Sequence, residues 1–166
     1  MGYHVLIAED MASNRKLIKA VIEKELRDIT FHEAVDGFQT LKMINEGQMD
    51  LVILDIMMPG KDGLEVLKEL KSSEEHKDLP VIIYSAMESI ESINAALQLG
   101  AYDYFTKPLT PQQTKIIVPL KVKNALEMHE QRKALVTLHE NIKIELMLAK
   151  LFQQNLMTET AAFSDK

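Results

Sequence analysis

Cysteine is absent from the chain, which excludes disulfide bonds, thiolate metal centres and thiol nucleophiles. No apolar run approaches the roughly 18 to 20 residues of a membrane span, and no basic segment followed by a long apolar stretch opens the sequence. A cytoplasmic protein with no membrane contact is therefore expected. Positive charge is also in short supply: a formal net charge of −6 argues against nucleic acid as a direct partner, since phosphate contact needs a basic surface. Gly60 and Gly63 are not accompanied by a GxxxxGK[ST] pattern, so no phosphate-cradling loop of that type is present. The five histidines, His4, His32, His76, His129 and His139, lack metal-ligand spacing and read as surface or helix-face residues. With 46% hydrophobic and 27% charged residues, wholesale disorder is excluded too.

What is present is a series of short apolar runs that each stop at a polar side chain. Val5 to Ala8 stops at Glu9-Asp10, and Leu51 to Leu54 stops at Asp55. Val81 to Tyr84 stops at Ser85, and Tyr102 to Phe105 leads into Thr106-Lys107-Pro108. Between these runs lie helix-period segments, so strand and helix alternate over the first 110 residues as in βα units. Strands are expected near residues 3–8, 29–35, 50–55, 80–85 and 102–106. The first helix is expected to be capped by Ser13 or Asn14, the fourth to run from about 88 to 99, and the fifth to be capped at Thr110-Pro111. In an open parallel sheet, ligands bind outside the carboxyl ends of the strands. Three carboxylates, a hydroxyl and an ammonium would then converge on one rim.

Each of these residues has an ordinary explanation when taken alone. Glu9 and Asp10 could be loop acids near a helix start, Asp55 a turn residue, Ser85 a cap and Lys107 a solvated lysine. Together they form a divalent-cation and phosphate site. Carboxylates ~5 Å apart repel by about 3 kcal/mol per pair at an effective dielectric of ~20, so such a cluster needs a raised pKa or a cation. Oxygen donors with few protein carboxylates suit Mg²⁺. Asp55 is the candidate nucleophile, since a carboxylate can form an acyl phosphate beside a cation. Lys107 supplies a point charge and Ser85 a hydroxyl donor for phosphoryl oxygens.

The segments VLIAED, LVILDIMMPGKDG, VIIYSA and GAYDYFTKP resemble, in order and spacing, the receiver domain of two-component response regulators. The resemblance covers residues 3 to about 110. It implies an α/β, flavodoxin-like (βα)5 fold, a doubly wound parallel sheet of strand order 2-1-3-4-5, a family for which that order is the standard example. It further implies that Asp55 is the phosphoacceptor, that Glu9, Asp10, Asp55 and the backbone carbonyl of Met57 hold Mg²⁺, and that Ser85 and Lys107 read the phosphoryl group. Tyr104 matches the aromatic switch residue that follows Ser85, and Lys107-Pro108 the family's cis peptide. A histidine kinase or phosphotransfer protein is the implied partner. The receiver itself is not expected to be an enzyme beyond its own phosphotransfer.

Residues 120–157 contain neither glycine nor proline and read as one long helix. Met128, Leu135, Ile142, Ala149 and Leu156 recur every seven residues, with Leu138 and Phe152 at companion positions, like an imperfect coiled-coil seam. The expected division is a receiver at 1–127, a helical extension, coiled coil or linker at 128–157, and a frayed tail at 158–166. Part of the extension, Ile144 to Met157, resembles the helical linker that joins receivers to PP2C-type phosphatase domains. A homodimer is expected through this helix or through the face made by the fourth helix, fifth strand and fifth helix. Pro119 is expected to lengthen, kink or split the fifth helix, and Met57 and Met87 to shape access to the acceptor. Two further functions were weighed. A phosphorylation-independent scaffold would not need the full set of polar residues. A haloacid-dehalogenase-type phosphohydrolase would need an aspartate where Met57 stands.

Overall fold

The structure, a computed structural model, describes residues 2–86 and 90–164. Met87, expected to border the site, lies outside the described residues. The chain divides into two compact units, Met1–His129 and Glu130–Lys166. In the first unit the order is β1 (Tyr3–Ala8), α1 (Ala12–Glu25), β2 (Ile29–Ala34), α2 (Gly37–Glu46), β3 (Leu51–Leu54), α3 (Gly63–Ser72), β4 (Val81–Ala86), α4 (Ile90–Gln98) and β5 (Asp103–Lys107). A π-helical turn (Gln113–Ile117) then leads into α5 (Val118–Ser164), whose later residues make up the second unit. All strand pairs are parallel and the sheet order is β2-β1-β3-β4-β5. This is the flavodoxin-like doubly wound sheet, with the long C-terminal helix.

Two cores sandwich the sheet because alternate strand residues face opposite sides. Leu6, Val52 and Ile83 face one side, where Leu41 and Ile44 of α2, Val66, Leu67 and Leu70 of α3, and Ile93 of α4 cover them. Val5, Ile7, Ile53 and Ile82 face the other, against Ile18 and Ile22 of α1 and Val118, Val122 and Leu126 of α5. All four residues of β3 are buried, as a central strand covered on both faces requires. The β1–β3–β4 centre is therefore a rigid base from which the following loops project.

Local chemistry explains the helix boundaries, and in three places differs from the sequence expectation. Helix α1 starts two or three residues early: its N-cap is Met11, with no side-chain cap. Glu9 Oε1 instead accepts from the Met11 N–H at 3.0 Å, so the acidic loop itself closes the helix start. At Pro119 the helix is neither broken nor simply kinked. Proline offers no N–H to the carbonyl four residues before it, and the preceding turn slips into π register, with the Val118 N–H donating to the Gln113 carbonyl. Thr110 does cap this segment: its Oγ1 accepts from Gln113 N–H at 3.2 Å while Gln113 Oε1 accepts from Thr110 N–H at 2.8 Å. Finally, residues 158–164, expected to be frayed, are helical, with the Thr158 and Thr160 hydroxyls donating to carbonyls one turn back.

In the second unit every described residue is exposed. The heptad positions Leu135, Leu138, Ile142, Phe152 and Leu156 range from 46% exposed at Ile142 to 71% at Phe152. Met128 lies in the first unit and is half-buried. Among the described residues no helix is long and apolar enough to cross a membrane. Because Ile53 sits 1% exposed in the middle of the sheet, Ile53→Ala should lower the unfolding free energy by about 2–5 kcal/mol, read from urea denaturation. A loss below ~1 kcal/mol would show that the central strand is not the packed base described.

Candidate functional site: an acidic rim at the strand ends

The rim is built by continuing the strand ladders past their last residues. The Glu9 N–H donates to the Ala34 carbonyl at 3.0 Å and the Asp55 N–H to the Ala8 carbonyl at 2.9 Å. These bonds fix the two acidic backbones side by side. On the far side, register pairing sets Ser85 beside Thr106 and Ala86 beside Lys107. The Lys107–Pro108 peptide is cis. The Lys107 ammonium donates to Glu9 Oε2 at 2.5 Å and to Asp55 Oδ2 at 2.9 Å, spanning 98 and 52 residues of sequence.

Glu9 and Asp55 are buried while Asp10 is exposed, and carboxylate oxygens of all three lie within 4.8 Å of one another. Asp55 is held at both oxygens: Oδ1 accepts from the Met57 N–H at 3.1 Å and Oδ2 from Lys107. The Met57 side chain is exposed beside it. Ser85 is fully buried, and among the described residues its Oγ has no hydrogen-bond partner. An unpaired buried hydroxyl costs about 1–3 kcal/mol, so this one is poised for an oxygen that a ligand brings. Tyr104 is partly exposed at the surface of β5, where Lys121 donates to its carbonyl at 2.6 Å and lies 5.0 Å from its ring centroid.

Charge is unevenly balanced. Three carboxylates face one ammonium, and at an effective dielectric of ~20 each carboxylate pair at this range repels by roughly 3–4 kcal/mol. Burial pushes the Glu9 carboxyl above its ordinary range; hydrogen bonds from Lys107 and the Met11 N–H offset part of this, and Asp10 and Asp55 add to it. Burial alone would pull Lys107 down, but the hydrogen bonds and charges of Glu9 and Asp55 outweigh it and raise its pKa, so it remains an ammonium. The oxygen-only donor set, with net negative charge left over, fits a hard dication that keeps part of its water shell, which is Mg²⁺ chemistry. The residues present fit that ion.

Three contributors were not singled out in the sequence. Arg15, one turn into α1, donates from Nη1 to the Glu9 and Asp10 carbonyls at 2.8 and 3.0 Å and from Nε to Glu33 at 3.1 Å. It orients the acidic loop, and its only sequence signal is a position six residues beyond Glu9. Tyr84, one residue before Ser85, lies with its ring 4.8 Å from the Lys107 ammonium and 5.1 Å from the Phe105 ring. It reads in sequence as one more apolar strand residue. Gly63 reads as part of a turn, yet a Cβ there would lie 2.2 Å from the Asp55 carbonyl oxygen. Only glycine lets α3 start against the Asp55 loop, and the Asp62–Glu65 capping box that starts it was legible as Asp-x-x-Glu.

The comparisons with known proteins agree with this geometry. The family model described as response regulator receiver domain matches residues 5–118. The chain is 37% identical over 114 residues to the chemotaxis protein CheY-3 of Vibrio cholerae, covering 67% of this chain and 85% of that protein. It is 29% identical over 131 residues to the cyclic di-GMP phosphodiesterase response regulator RpfG of Xanthomonas campestris, covering 79% of this chain but only 34% of RpfG. Among solved structures, a putative response regulator from Chloroflexus aurantiacus superposes with a TM-score of 0.68 at 27% identity, over 76% of this chain and 99% of that one.

The raised Glu9 pKa fixes the sign of a pH effect. Between the ordinary value of 4.5 and the raised one, the folded chain binds more protons than the unfolded one, so this group's stabilising contribution is lost as pH rises through the folded pKa. In Mg²⁺-free buffer, Glu9→Gln should therefore gain stability relative to the unmodified chain as pH rises from about 4.5 towards neutrality, followed as the difference between two denaturation curves. A difference that is flat, or that falls with pH, would contradict the assignment.

Proposed function

This chain belongs to the response regulator receiver domain family, and from that premise we propose that Asp55 accepts a phosphoryl group from the phosphohistidine of a histidine kinase or phosphotransfer protein. The observation that carries the proposal is the Lys107 ammonium bridging the buried carboxylates of Glu9 and Asp55, with the exposed Asp10 carboxylate within 4.8 Å of both. Glu9, Asp10, Asp55 and the Met57 backbone carbonyl would hold Mg²⁺. When bound, the ion neutralises charge on the carboxylates and on the incoming phosphoryl oxygens.

Asp55 Oδ attacks phosphorus in line as the phosphorus–nitrogen bond to the donor imidazole breaks, leaving an acyl phosphate on Asp55 and a neutral imidazole once a proton is taken up. The Met57 N–H holds Asp55 Oδ1 and orients the carboxylate for this attack. Lys107, already touching Asp55, moves its donors to the added oxygens. The Ser85 hydroxyl, unpaired beforehand among the described residues, gains a phosphoryl oxygen to donate to. That bond draws the end of β4 towards Asp55, and Tyr104 turns inward from the surface of β5. The phosphoryl group thus biases a pre-existing equilibrium by binding one state better.

The activity is signalling rather than turnover, in a cytoplasmic setting. The second unit is read as the output end: its exposed apolar positions, Leu135, Leu138, Ile142, Ala149, Phe152 and Leu156, would be covered by a second copy or by a linker to an output domain. The chain spans about a third of RpfG, and the phosphodiesterase activity in that name belongs to that protein. Incubation with Mg²⁺ and a small phosphodonor should add a single phosphoryl group, read by intact mass, and Asp55→Asn should add none. Equal labelling of the variant would overturn the proposal. Chromatographic size in the same samples should shift towards dimer on labelling; an unchanged size would remove the dimer switch and leave the acceptor assignment standing.

A further inference from the structure

Near the start of β1, His4 stands five residues before Glu9, about 16 Å away along the strand. His32 stands in β2, the edge strand, where Leu6 is its register partner and Thr30 is that of His4. His4 and His32 are therefore diagonal neighbours on the same face of the sheet. Their rings lie 5.3 Å apart, tilted by 32°. Nδ1 of His4 is 3.0 Å from Nε2 of His32. His4 is exposed and His32 half-buried, and the Asp50 carboxylate accepts from the His4 backbone N–H at 2.8 Å. The phosphoacceptor chemistry uses none of these groups.

The nitrogen separation has a specific meaning for coordination. With metal–nitrogen bonds of 2.0–2.1 Å, the two ring nitrogens are already close enough to share one ion. Imidazole nitrogens suit first-row transition dications, among which Cu²⁺ and Ni²⁺ stand high in intrinsic affinity. We propose that His4 and His32 form a bidentate site for a transition-metal dication of the Cu²⁺ or Ni²⁺ class. Binding replaces the ring–ring hydrogen bond: each imidazole turns by roughly 40° so that both lone pairs meet at the ion, well within the broad torsional freedom of a histidine ring. The ring that had donated carries its proton on its other nitrogen, so both stay neutral. Among the described residues no third His, Asp or Glu closes on the pair to form a ligand group, and water fills the remaining positions.

Burial, then the neighbouring His4, lowers the pKa of His32, which keeps a lone pair available through neutral pH. Cross-linking β1 to the edge strand β2 stabilises the first unit by mass action. The spacing of 28 residues hid the pair from sequence inspection, because it exists only once the two strands lie in register.

Calorimetric titration with Ni²⁺ in excess Mg²⁺, which keeps the acidic rim out of the measurement, tests the site. The full chain should bind one Ni²⁺, His4→Ala and His32→Ala should each weaken binding at least tenfold, and His139→Ala should leave it unchanged. Retained phosphorylation of Asp55 in the two variants would show that they fold. Absence of binding, or loss with His4→Ala but not with His32→Ala, would overturn the proposal. Electron paramagnetic resonance of the Cu²⁺-loaded unmodified chain gives a readout independent of variants: couplings from two imidazole nitrogens support the site, and one or none rejects it.

Discussion

Lys107 lies at the end of β5 and donates to Glu9 and Asp55, residues that follow β1 and β3. The site depends on that ammonium. Two buried carboxylates this close would be strongly destabilising on their own, and removing one partner of a buried ion pair typically costs 3–5 kcal/mol. Lys107 offsets part of the repulsion and leaves a surplus of negative charge on the rim. The same contacts bind β5 to the centre of the sheet, so a change in the charge at Asp55 reaches β5 directly.

Rigidity beneath the rim makes those interactions meaningful. β3 is buried on both faces, and the ladder bonds from Glu9 to Ala34 and from Asp55 to Ala8 carry its order one residue further. Arg15 adds a second anchor by tying the two acidic backbones to α1. Against that frame Ser85 stands out as a buried hydroxyl with no partner among the described residues.

Much of this was legible in sequence because it is local. Apolar runs ending at Glu9-Asp10, Asp55, Ser85 and Lys107 mark strands and place their polar ends at one rim, and the parallel topology follows from the helices between them. What stayed hidden depends on register or on backbone proximity. Gly63 read as turn chemistry until the Asp55 carbonyl was found where its Cβ would lie. Arg15 and Tyr84 act on neighbours that strand register supplies. Pro119 marked a disturbance of the fifth helix in the sequence, but the π form of the preceding turn depends on which hydrogen bonds a missing N–H forces to shift. In the second unit the heptad pattern of α5 was plain, and every apolar position along it is exposed.

The most direct test of the acidic rim is anomalous diffraction from crystals of the full chain soaked in Mn²⁺ as a scattering substitute for Mg²⁺. The account predicts one strong peak in ligand contact with Asp10 and Asp55, with the Lys107 ammonium beside it. A peak remote from these carboxylates, or none at all with Asp55 facing away from Lys107, would contradict it.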